Sequence, residues 1–85
     1  MHVAGVVVKT RPEDLQAVRQ SIESVAGADI HASSEEGKLV VTLIGEDRKE
    51  VANALMGLGD IDRILNSTLV YEESDSDFFA EGAIQ

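Results

Sequence analysis

The sequence predicts a two-layer α+β sandwich, in which one four-stranded antiparallel sheet carries two helices on a single face. Three observations support this. Short apolar or alternating runs occur four times, at 3–8, 28–33, 38–44 and 64–71. Two stretches of helical apolar spacing, opening at Pro12 and at Arg48, separate the first run from the second and the third from the fourth. The chain has 85 residues, 44% of them hydrophobic, which suits one domain around one core. A β-α-β-β-α-β order in so short a chain is that of a ferredoxin-like fold.

The first run, Val3 to Lys9, is almost continuously apolar, as expected of a central strand. Thr10 stands three residues before Glu13, the capping-box spacing, and Pro12 suits a first helical turn. Leu15, Val18, Ile22 and Val25 then form one apolar stripe, which Gly27 is expected to end. In 28–33, Ala28, Ile30 and Ala32 alternate with Asp29, His31 and Ser33, the pattern of a half-buried strand. Ser34-Glu35-Glu36-Gly37 reads as a turn in which Gly37 supplies a positive φ.

The third strand alternates Leu39, Val41 and Leu43, assigned to the core, with Val40, Thr42 and Ile44. Asp47 and Glu50 repeat the capping-box spacing before a helix with Val51, Leu55 and Leu58 as its stripe. Ala52 and Ala54 would let it approach the sheet, and Gly57 and Gly59 are expected to terminate it. In the last strand Leu65, Ser67, Leu69 and Tyr71 are placed inward, with Ile64, Asn66, Thr68 and Val70 outward. The expected domain is 1–72. An acidic stretch, 73–85, has too little apolar area to offset ordering entropy and is expected to be a disordered tail carrying Phe78 and Phe79.

Composition excludes several functions. Without cysteine there is no disulfide framework, Fe–S cluster or thiolate metal site. No run is long enough to span a bilayer. No secretory signal pattern is read at the start, so a cytoplasmic location is expected, with no direct membrane insertion. The net charge is −9. Five carboxylates from Glu72 onward face no basic residue, and such a surface opposes nucleic-acid binding and favours basic partners. No phosphate loop, HExxH, nucleophile elbow or His–carboxylate cluster is present, so neither enzyme activity nor a cofactor or metal is expected. His2, beside Met1, is expected in solvent, and His31 is expected to line the sheet rather than bind metal. The Val-rich first strand and the strand at 38–44 carry no aromatic, which removes an RNA-recognition reading.

What remains is the sheet face that the helices leave open. It should carry Val3, Gly5, Val7, His31, Val40, Thr42, Ile44, Asn66, Thr68 and Val70, mixed small and apolar residues without a charge. Four strands of ordinary length give about 300–400 Å² of such surface. A monomer seldom leaves an apolar patch of that size unused. Its width matches a helix about 10–12 Å across, and Gly5 would let one approach the backbone. Self-association through this face, or a ligand-sensing (ACT-like) module, are the competing readings.

Three segments, Gly27-Ala28-Asp29-Ile30-His31-Ala32, Glu36-Gly37-Lys38-Leu39-Val40-Val41 and Ser67-Thr68-Leu69-Val70-Tyr71, resemble the NapD family over residues 1 to about 72. The Val6-Val7-Val8 strand before a Pro-led helix fits the same pattern. The resemblance implies a ferredoxin-like cytoplasmic chaperone, neither catalytic nor cofactor-holding. Such a chaperone binds the twin-arginine signal peptide of the periplasmic nitrate reductase catalytic subunit and restrains export until the molybdenum cofactor is inserted. Joined to the open face, it suggests that the apolar part of the signal lies across the sheet. The arginines would then meet an acidic rim of Asp29, Glu35, Glu36, Glu72 and Glu73.

Overall fold

Four strands run through the chain: β1 (His2–Thr10), β2 (Ala28–Ser34), β3 (Lys38–Gly45) and β4 (Ile64–Ser74). In the computed structural model, which describes residues 1–74, they form one sheet in the order β2-β3-β1-β4, with every neighbouring pair antiparallel. Helix α1 (Leu15–Glu23) follows a 3₁₀ turn at Pro12–Asp14 and links β1 to β2, while α2 (Arg48–Gly59) links β3 to β4. This is the expected ferredoxin-like topology. β4 continues to Ser74, three residues past the run read from sequence. Residues 75–85, with Phe78 and Phe79 and most of the expected tail, lie outside the described residues.

One face of the sheet builds the core. Ala4, Val6 and Val8 of β1 and Leu39, Val41 and Leu43 of β3 are buried against Val18 and Ile22 of α1 and Val51, Ala54 and Leu58 of α2. Alternation along the two central strands put these residues on the same side, and each fully buried Val, Leu or Ile contributes about 1.5–3 kcal/mol. Leu15, Val25 and Leu55 pack at the margin as the stripes require. Ala52, expected at the sheet, is exposed, and Ala54 alone makes the close approach. Gly59 is the last residue of α2, as expected, whereas Gly57 lies inside the helix, facing the Val25 side chain.

The two expected capping boxes part company. At α2 the Asp47 Oδ1 accepts from the Glu50 N–H at 2.9 Å, and Glu50 Oε1 accepts in return from the Glu46 N–H at 2.9 Å. The first bond satisfies one of the amide donors a helix start leaves open, and the second ties the residue before the cap to the first turn. Thr10 does not cap α1. It remains in β1, buried, where its Oγ1 donates to the Arg63 carbonyl (2.9 Å) and its N–H to the Gly37 carbonyl (2.8 Å). The end of β1 is thus tied to both the β2–β3 turn and the loop before β4. Gly37 has the expected positive φ, +101°, and a Cβ there would strike the Thr10 carbonyl.

Three β-bulges break the alternation on which side-chain facing was read. In β2 the register passes from Ile30 opposite Val41 to Ala32 opposite Val40, leaving His31 as the extra residue. Beyond it the faces exchange: Ala32 turns to the open side, and Ser33, on the helix side, accepts a hydrogen bond from Arg19 Nη1 at 3.0 Å. In β4 the extra residues are Leu65 and Val70. Ile64, placed outward, therefore packs on the core beside Thr10, and Leu65, placed inward, is 60% exposed. Tyr71, also placed inward, lands on the open face opposite Gly5. Ser67 and Leu69 do share the helix side with Val8 and Val6, yet both remain exposed because β4 is an edge strand.

His2 corrects a further expectation. It is the first of the even-numbered, core-side residues of β1 and is buried. Its Nε2 lies 3.2 Å from Glu72 Oε1, which also stands 3.6 Å from Arg48 Nε.

Candidate functional site

The strand registers arrange the uncovered face into four cross-strand rows. At the end where β1 begins, Ile44, Val3 and Glu73 lie side by side. The next row is Asp29, Thr42, Gly5 and Tyr71, and the third is Ala32, Val40, Val7 and Thr68. The last row, beside the β2–β3 turn, is Ser34, Lys38, Lys9 and Asn66. Side chains in one row stand about 4.5–5.5 Å apart and act as neighbours.

Of the residues expected here, Val3, Gly5, Val7, Val40, Thr42, Ile44, Asn66 and Thr68 hold places in these rows. His31 is the bulge residue beside Ala32, and its Nε2 reaches to 3.9 Å from Asp29 Oδ2. Val70 pairs with no residue of β1 and is 56% exposed. The apolar middle consists of Val3, Val7, Val40, Ile44 and Tyr71, with Val40, Ile44 and Tyr71 each 39–47% exposed. Gly5 does not offer bare backbone. The Tyr71 ring lies over it so closely that a Cβ on Gly5 would overlap the ring, and Gly5 is buried beneath. An aromatic covering a cross-strand glycine supplies the packing that the glycine lacks.

The face is not charge-free. Lys9 and Lys38 are direct cross-strand neighbours in the last row, and neither ammonium makes an ion pair or hydrogen bond among the described residues. Alternation from Val7 to Lys9 and from Val40 to Lys38 already carried this in the sequence. Tyr71, by contrast, required knowledge of the bulge at Val70, so no local signal could have found it.

The acidic rim is not one cluster. Asp29 and Glu73 lie on the open face toward the start of β1. Glu35 and Glu36 project at the β2–β3 turn, at the lysine end. Glu72 pairs with Ala4 on the helix side and is engaged by His2 and Arg48.

Elsewhere, two shallow grooves of about 330 and 410 Å³ flank Ile44 and share Glu50. No Lys or Arg side chain lines either one, and the Glu50 carboxylate already serves the α2 cap. They are poorly equipped to hold an amino-acid ligand. Among the described residues no group of three or more His, Asp or Glu side chains is placed to hold a metal ion. No helix among them is long and apolar enough to cross a membrane.

Comparison with known proteins agrees with this architecture. The solution structure of the E. coli Tat proofreading chaperone NapD superposes with a TM-score of 0.77 at 20% identity, covering 86% of this chain and 78% of that one. A Pyrococcus furiosus transcriptional regulator of the AsnC family reaches 0.66 at 16% identity, over 81% of this chain and 49% of its own. At such identities the likeness is one of fold. Sequence goes further: a Haemophilus influenzae protein named Chaperone NapD is 31% identical over 75 residues, covering 87% of this chain and 81% of the relative. The family model described as NapD protein matches residues 1–76. The chain belongs to the NapD family of chaperones.

Proposed function

We propose that this chain is a cytoplasmic chaperone that binds the twin-arginine signal peptide of the periplasmic nitrate reductase catalytic subunit. By holding the signal it restrains export until the molybdenum cofactor has been inserted in the client. As a member of a chaperone family the protein is not an enzyme. In this reading it holds no cofactor and acts by occupancy alone. The observation that carries the proposal is the apolar middle of the open face, exposed at Val40, Ile44 and Tyr71 and edged by charge. A twin-arginine signal combines a basic segment with an apolar stretch able to form a helix. A helix about 10–12 Å across covers roughly two to three strands spaced about 4.8 Å apart, so it fits over β3, β1 and β4.

The test is calorimetric titration of the full chain with a synthetic twin-arginine peptide. Binding at one peptide per chain is expected. Val7→Glu and Val40→Glu each place an unpaired charge under the apolar stretch and should weaken affinity at least ~10-fold, about 1.4 kcal/mol. Wild-type affinity in both variants, with circular dichroism unchanged, would defeat docking on the sheet.

A further inference from the structure

Taking the sheet-docking reading as given, we propose that the two charged ends of the open face fix the direction in which the peptide lies. Its basic end sits over Asp29 and Glu73, its apolar stretch runs along β1 over Val7 and Val40, and Lys9 with Lys38 excludes the reversed orientation.

The face has an electrical polarity that its apolar middle conceals. Toward the start of β1 stand two carboxylates on the open side, Asp29 beside Thr42 and Glu73 beside Val3. Toward the end of β1 stand two ammonium groups in direct cross-strand register, Lys9 and Lys38. Like charges facing each other across strands are unfavourable, so the lysine pair is a standing cost to the sheet. No carboxylate among the described residues neutralises it: Glu35 and Glu36, in the adjoining turn, form no ion pair with either lysine. A basic segment docked at that end would meet two ammonium groups that hold no carboxylate in contact among the described residues. At the other end it meets two negative groups, Glu73 and Asp29, the latter in a long 3.9 Å contact to His31. The row holding Gly5 and the row holding Lys9 are four β1 residues apart, about 13 Å, and the span from Val3 to Lys9 is about 20 Å. At 1.5 Å per residue a helix of roughly 9–13 residues fills that interval. A peptide with arginines at its N-terminal end and an apolar stretch of that length after them matches the face in one direction only.

The experiment places a photo-crosslinking residue beside the arginine pair of the synthetic peptide and maps its adducts on the full chain by mass spectrometry. Binding is followed separately by the emission of Tyr71, the sole tyrosine in a chain without tryptophan, using a peptide free of both. Adducts on β4 near Glu73, on β2 near Asp29 or on Ile44 are expected. Reversing the lysines, Lys9→Glu with Lys38→Glu, removes the block to the reversed orientation and should tighten binding by about 2-fold, the gain from a second way of lying on the face with comparable affinity. It should also spread the adducts to both ends. Adducts confined to Ser34, Lys38, Lys9 or Asn66 in the unmutated chain would overturn the direction while leaving sheet docking intact. Adducts confined to the helices, or no change in Tyr71 emission at saturating peptide, would overturn docking itself and the direction with it.

Discussion

The two faces of this sheet are made by the same four strands and do opposite work. On the helix side, β1 and β3 present Ala4, Val6, Val8, Leu39, Val41 and Leu43, all buried. On the open side the intervening residues present Val3, Val7, Val40 and Ile44, half-buried or exposed. The chemistry of the two sets is nearly the same, so composition does not separate them. What separates them is what lies opposite: two helices in one case and water in the other. Apolar side chains facing water on a structured strand contribute little to folding, and their area stays available for a partner. Substitutions on the two faces should therefore move different observables.

The sharpest break in that comparison is Leu43→Ala. Leu43 is fully buried, and removing it leaves a cavity in the only packed layer the described chain has. The expected loss is about 3 kcal/mol, or roughly 12–24 °C in the thermal midpoint of a domain this size. Peptide affinity measured well below that midpoint should be unaltered. A large affinity loss in a folded Leu43→Ala protein would mean that the two faces are not separable. Val40→Glu, three residues earlier on the same strand and on the opposite face, is the converse. Val40 is already 39% exposed, so unfolding free energy should shift by no more than about 1 kcal/mol while binding falls at least ~10-fold. Chemical denaturation of both variants beside the calorimetry reads the comparison directly.

A smaller effect is expected where the two layers are joined. Asp47 carries the only expected cap that formed, and Asp47→Ala should cost about 1 kcal/mol through loss of the bond to the Glu50 N–H. Urea denaturation measures it, and Asp47→Ser should recover most of the loss because a hydroxyl can accept the same bond. A variant as stable as the parent would show that the Glu50–Glu46 contact suffices to hold the entry to α2.

How much could be read in advance follows from the same geometry. The order of elements, the core faces of β1 and β3, the helix stripes, the α2 cap and the Gly37 turn were all legible, because each rests on a local period or a local residue preference. Facing on β2 and β4 was legible only on one side of each bulge, at 28–30 and 66–69. A single inserted residue, His31 or Val70, exchanges every side chain beyond it, and a bulge is set by how two distant strands pair rather than by the strand itself. Thr10 had the spacing of a cap but was claimed by a tertiary partner 53 residues away, the Arg63 carbonyl. His2 was misread because the strand begins one residue earlier than its apolar run, which puts the imidazole in phase with Ala4 and Val6. The lysine pair, by contrast, was legible and passed over: alternation alone puts Lys9 and Lys38 with Val7 and Val40, and only the register makes them neighbours.

Gly5 and Tyr71 provide the finest test, because there the open face has been partly filled by the chain's own side chain. Gly5→Ala brings two opposed effects. Replacing a strand glycine removes backbone freedom from the unfolded chain and should stabilise by roughly 0.4–1 kcal/mol. The new methyl, however, overlaps the Tyr71 ring, so the ring must swing off the sheet and give up its contact with β1. An exposed aromatic cross-strand contact is worth about 0.2–1 kcal/mol, so the two effects nearly cancel and unfolding free energy should change by less than about 1 kcal/mol. What should change plainly is the environment of the ring, read as near-ultraviolet circular dichroism and emission from the single tyrosine. Peptide affinity decides what the ring does for the face. If Tyr71 is part of the docking surface, Gly5→Ala and Tyr71→Ala should weaken binding alike, by a few-fold. If the ring only occupies space a partner must clear, Tyr71→Ala should bind more tightly than the parent. An unmoved tyrosine signal in Gly5→Ala would show that the backbone, not the ring, gives way at this crossing.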